Sequence, residues 1–144
     1  MDNNELKEIT HEFLNIIPLF HRKVIKEHCK FSEEPFQIMG ILKSNGKSSI
    51  SDVAKKLGIS TPNMTKLLNK LISEEMITRN HSESDRRIIY IDLTKKGHNY
   101  LDTKYNELVS AIVDKFKNLS DNELNDLSSS IKTLNTVLSN LIEK

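Results

Sequence analysis

The chain has 144 residues, 28% of them charged and 37% apolar, with a formal net charge of +1. It reads as a soluble protein long enough for one compact unit with its own core. The longest apolar stretch, Phe13 to Phe20, is broken by Asn15 and Pro18 and is too short to cross a bilayer, and the acidic start MDNNELKE predicts no secretion signal. One cysteine, Cys29, excludes an intramolecular disulfide and fits a cytoplasmic location. The charge is unevenly spread: Gly40 to Tyr100 holds 11 Lys and Arg against 6 Asp and Glu, while the remainder is acidic. A basic middle is the footprint of a phosphate-binding region.

From about Asn3 to Glu27, the residues Leu6, Ile9, Phe13, Ile16 and Phe20 recur at steps of three and four, which predicts an amphipathic helix bent at Pro18. A second helix is expected after Ser32, with Glu33, Glu34 and Pro35 in its first turn, ending near Ser44-Asn45-Gly46. Ser49 and Asp52 form a capping-box pattern for a third helix that stops at Gly58. Gly58-Ile59-Ser60 is short enough to make the arrangement a helix-turn-helix. In the fourth helix Met64, Leu67, Leu68 and Leu71 form the buried stripe. Thr61, Pro62, Asn63, Thr65, Lys66, Asn69 and Lys70 are left on polar faces.

The period then changes to 2. Ile89, Ile91 and Leu93 point one way and Ile88, Tyr90 and Asp92 the other, so this is a strand, paired with Met76 to Arg79. The loop from about Asn80 to Arg86 puts Asp85, Arg86 and Arg87 at or near the tip of a two-stranded wing. Thr94 caps a fifth helix with the stripe Leu101, Tyr105, Leu108, Ile112, Phe116 and Leu119. Ser120 to Glu123 is a second capping box, opening a helix with Leu124, Leu127, Ile131, Leu134, Leu138 and Leu141 in heptad spacing.

These residues carry a chemical reading. A major groove admits one helix, and Thr61, Asn63 and Lys66 are suited to base edges. A thin arginine-bearing wing suits a narrow minor groove, with Asp85 able to hold a guanidinium beforehand. Ser49, Lys55, Lys56, Ser60 and Arg79 are the candidate phosphate contacts. Phe13, Phe20, His21, Phe36 and Met39 could line an apolar effector cavity, and ordinary core packing accounts for them equally well. Cys29 lacks the surroundings of a reactive thiol, no metal-ligand spacing is present, and no catalytic constellation stands out, so neither a cofactor nor an enzyme is expected.

The order of helices, the wing residues Asp85, Arg87, Leu93, Thr94 and Gly97, and the segments SDVAKKLGIS and LLNKLISEEMITR together resemble the MarR family of bacterial winged-helix transcription regulators. The resemblance covers essentially the whole chain. It implies a mainly α fold with a small β-wing: one domain over 1–144, with a DNA-binding lobe at about 32–97 and dimerisation helices at about 1–31 and 98–144. It also implies a homodimeric repressor on a pseudo-palindromic operator, with Arg87 in the minor groove oriented by Asp85, released by a small aromatic or anionic effector and with no membrane partner. Three departures stand out. Glu75 occupies the place where the family usually has Gly. No cysteine lies in Leu6 to Phe13, where peroxide sensors carry theirs. Neither Phe36-Gln37 nor Asn99 to Glu107 supplies a zinc cluster. The rival reading is a winged-helix protein-interaction module without DNA binding, favoured by Glu74 and Glu75 beside the groove-facing helix.

Overall fold

The computed structural model describes residues 1–25 and 34–143. The expectations placed on Ser32, Glu33, His28 and Cys29 lie outside the described residues. Helices are α1 (Asn3–Phe20), α2 (Glu34–Asn45), α3 (Ile50–Leu57), α4 (Thr61–Ser73), α5 (Lys95–Phe116) and α6 (Asp121–Ile142). The strands are β1 (Ser48–Ser49), β2 (Ile77–His81) and β3 (Ile89–Leu93). A π-helical turn, His21–Ile25, continues α1 beyond Pro18.

Two compact units are present, Met1–Leu108 and Val109–Lys144. In the first, the core is built from Ile38, Met39 and Leu42 of α2, Val53 of α3, Met64, Leu68 and Leu71 of α4, Ile77, Ile91 and Leu93 of the sheet, and Leu101 of α5. The helical and strand periodicities both converge there: Met64, Leu68 and Leu71 share one helical face, and Ile91 and Leu93 share one strand face. The second unit pairs the end of α5 with α6, where the Ser120–Glu123 capping box is fully formed. No residue of α6 is buried, and Ile131, Leu134, Val137 and Leu141 are all exposed. Along α1, Leu6, Ile9, Leu14, Ile16 and Leu19 are likewise exposed.

The sheet has three strands, in the order β1-β3-β2, where the sequence pattern predicts two. The extra strand is two residues long, with Ser48 opposite Ile91 and Ser49 opposite Tyr90. Two serines carry no alternation of hydrophobicity, so only the partner strand reveals them. β2 runs two residues past the expected end, pairing Asn80 with Tyr90 and His81 with Ile89.

The helix ends explain the local sequence. At the end of α3, Gly58 sits at φ 63°; its N–H donates to Lys55 and that of Ile59 to Ala54, closing a left-handed cap that lets α4 begin three residues later. At the end of α4 the same motif recurs with a different residue. Met76 N donates to Leu71 O and Glu75 N to Ile72 O, with Glu75 at φ 59°, the left-handed conformation glycine adopts more easily. Among the described residues Glu75 is the one non-glycine with positive φ.

Thr94 ties three elements together. Its hydroxyl donates to Glu75 O at 2.6 Å and lies 3.1 Å from Met76 O, its N–H donates to Met76 O at 3.0 Å, and its Oγ1 accepts from Gly97 N at 2.9 Å. Gly97 permits this approach, because a Cβ there would lie 2.2 Å from Met76 O. The Leu-Thr-x-x-Gly stretch is therefore one joint: Leu93 in the core, Thr94 as cap and tie, Gly97 as clearance.

Candidate nucleic-acid interface

The α4 helix presents two sides of opposite character. Its apolar side is locked into the core, while Thr61, Pro62, Asn63, Thr65, Lys66, Asn69 and Lys70 are exposed. Side-chain hydrogen bonds on this surface stay within the helix, as when Thr65 Oγ1 donates to Thr61 O at 3.1 Å. Ser60 caps α4 in an extended conformation, yet its side chain makes no capping bond, which leaves the hydroxyl available beside the positive end of the helix.

The wing tip is closed by Ser82 N donating to Ile88 O at 2.9 Å and Ile88 N to Asp85 O at 3.0 Å. Within it, Asp85 receives three bonds from one residue. Arg87 donates from its backbone N at 3.0 Å, from Nε at 3.2 Å and from Nη2 at 3.3 Å. These bonds, the side-chain ones first, hold the Asp85 carboxyl below the ordinary aspartate range. Arg87 remains 92% exposed, so the clamp fixes its direction without covering it. Arg86 is exposed too, and its side chain has no partner among the described residues.

Between α4, α3 and the wing lies a cavity of about 310 Å³, walled by Thr61 and Thr65 on one side and by Arg79 and Arg87 on the other, over Met64 and Leu68. The structure thus brings Thr61, Thr65, Arg79 and Arg87 to one groove, whereas Pro62, Asn63, Lys66, Lys70, Asp85 and Arg86 do not line it. Other expected residues are placed differently. Ser49 is nearly buried and its hydroxyl already accepts from Asp52 N at 3.2 Å. Lys55 and Lys56 line a second concavity, with Lys47 and Tyr90, which sequence inspection passed over. Of the effector candidates, Met39 belongs to the core and Phe36 packs against it, stacked on Tyr100 at 5.7 Å. Phe13, Phe20 and His21 sit on α1 and its π-helical turn, outside that core. Among the described residues no group of three or more His, Cys, Asp or Glu could hold a metal ion, and no helix is long and apolar enough to cross a membrane.

A helix-turn-helix whose second helix is exposed, followed directly by a sheet with an arginine-bearing tip, defines the winged-helix class. Residues 31–89 match the model of the MarR family. It is 29% identical over 102 residues to the uncharacterized HTH-type transcriptional regulator YkoM of Bacillus subtilis, covering 71% of this chain and 66% of the relative. To the transcriptional repressor MprA of Escherichia coli it is 35% identical over 72 residues, 49% of this chain and 41% of the relative. Among solved structures, a transcriptional regulator from Thermotoga maritima matches with a TM-score of 0.71 at 19% identity, covering 99% of both chains, which establishes the fold. The chain spans 38% to 66% of the length of the first three curated relatives it matches.

Proposed function

We propose that this protein is a sequence-specific double-stranded DNA-binding transcription regulator, acting as a homodimeric repressor on a pseudo-palindromic operator. The observation that carries the reading is the shared groove of α4 and the wing, lined by Arg79 of β2 and Arg87 of the wing tip. In this reading Thr61, Pro62, Asn63, Thr65, Lys66 and Lys70 enter the major groove, where hydroxyl, amide and ammonium groups meet base edges. Arg87 enters the flanking minor groove, and Ser60 and Arg79 meet phosphates. The exposed apolar residues of α1 and α6 support a second copy as the partner, because a stripe of that size is rarely left in water. A small aromatic or anionic effector completes the proposal, with Phe13, Phe20, His21 and Phe36 as its contacts.

The wing separates preorganisation from bulk charge. Arg87→Ala is expected to weaken binding to DNA upstream of the protein's own gene by about 1–3 kcal/mol, more with A·T-rich flanks. Asp85→Ala removes a negative charge near DNA, and Coulomb attraction alone says binding tightens. If Asp85 works by holding Arg87, binding weakens instead. Fluorescence anisotropy on duplexes with A·T-rich and G·C-rich flanks reads both. Tighter binding by Asp85→Ala, with Arg87→Ala indifferent to flank, refutes the wing assignment. No shift with any upstream duplex refutes DNA binding.

A further inference from the structure

The second concavity has no role in the reading above. It measures about 530 Å³ and lies between the end of α2, β1, the side of α3 and β3. Three ammonium groups reach it, Lys47, Lys55 and Lys56, and one carboxylate, Asp52. Among the described residues none of these four makes an ion pair. Lys47 Nζ stands 5.0 Å from the centre of the Tyr90 ring, so the aromatic face holds that charge at the rim. Asn45 adds an exposed amide without a side-chain partner among the described residues.

Its position sets it apart from the groove. Successive residues of a strand stand on opposite faces of a sheet. Ile89 lines the groove under α4 and Tyr90 lines the second concavity, so the two open on opposite faces. The α3 helix divides them likewise: Ile50, Ser51 and Ala54 line the first, and Asp52, Val53, Lys55 and Lys56 the second.

We propose that this recess binds a small phosphorylated ligand carrying at least two negative charges, a phosphate ester or diphosphate. Lysine is a compact point charge that meets phosphate without needing a fixed planar geometry. The recess carries a surplus of two positive charges with nothing of its own to neutralise them. It is concave and faces away from the groove, which favours a small ligand over the backbone of the duplex held at α4. A ligand here would contact β1 and α3, the first helix of the helix-turn-helix.

The test uses inorganic pyrophosphate on the ¹⁵N-labelled full chain at constant ionic strength, without DNA, so that its outcome is independent of the DNA-binding reading. Saturable amide shifts are expected at Lys47, Ser48, Asp52, Lys56 and Tyr90. Lys47→Gln and Lys56→Gln should each weaken the titration by about two- to fivefold, the size of an exposed charge contact, and Asp52→Asn should tighten it by a similar factor. The unperturbed amides of each variant report that it is folded. Shifts that do not saturate, or that centre on Arg79 and Arg87, overturn the proposal. So does a loss of duplex affinity beyond about fivefold in both lysine variants with a salt slope reduced by about 1, which would make these lysines backbone contacts of DNA.

Discussion

Replacing Glu75 by glycine should make the protein more stable. Glu75 holds φ 59° in a cap whose two hydrogen bonds, Met76 to Leu71 and Glu75 to Ile72, depend on that conformation. A side chain with a Cβ in the left-handed region costs about 1–2 kcal/mol. Glycine removes that strain and adds freedom to the unfolded chain, which returns about 0.4–1 kcal/mol. The Lys96 ammonium lies 3.8 Å from the Glu75 carboxylate with both side chains mostly exposed, so losing the pair matters little. The net expectation is a gain of about 0.5–1 kcal/mol, or about 2–4 °C in thermal midpoint for a chain of this size. Urea and thermal unfolding at one fixed protein concentration measure it. Glu75→Ala keeps the Cβ and should gain nothing, which separates backbone strain from the Lys96 pair. Gly58→Ala is the mirror experiment: no atom lies within 4 Å of its missing Cβ, so its expected loss of about 1 kcal/mol is conformational alone. If Glu75→Gly is neutral or destabilising and Gly58→Ala is silent, backbone conformation does not govern these helix ends.

Gly97→Ala should be far more damaging than Gly58→Ala, by about 3 kcal/mol or more, because Met76 O stands where the new methyl would go; chemical denaturation compares them. The Asp85 carboxyl should titrate below the ordinary value of about 3.9 by carbon-detected NMR, and Arg87→Lys should raise it. Because the folded pKa is the lower one, the clamp is fully formed above the unfolded pKa and is lost as pH falls through the folded one. Val137 is 57% exposed on α6, and if α6 meets a second copy, Val137→Glu should give monomer mass by light scattering at micromolar concentration where the parent gives a dimer.

Much of the architecture was legible because the residues that place it obey two periods. The burial of Met64, Leu68 and Leu71, the cap of Gly58 and the Ser120–Glu123 box all follow from local pattern. The pairing of Asp85 with Arg87 was implied by the family resemblance; the residues alone left Arg86 and Arg87 both open as the partner of Asp85. Less legible was anything decided by a distant partner. Ser48–Ser49 becomes a strand only because Ile91 and Tyr90 lie beside it, and nothing in two serines announces that. Lys55 and Lys56 read as members of a basic stretch, but their side of α3 depends on helical phase, which adjacent charges do not reveal. Met39 looked available for a cavity because an isolated thioether can serve a core or a pocket, and only packing separates the two.

The outer surface of α4 has a further property that follows from its bonding. Its exposed side chains make no hydrogen bond beyond their own helix among the described residues, while the helix is anchored through backbone carbonyls at Glu75 and Met76 and through its buried side. Substitutions at Thr61, Asn63, Thr65, Lys66, Asn69 or Lys70 therefore leave the scaffold almost untouched. Such a surface can drift through many sequences at constant stability, so a lineage carrying this fold can acquire a new binding preference by single steps, without first passing through an unfolded ancestor.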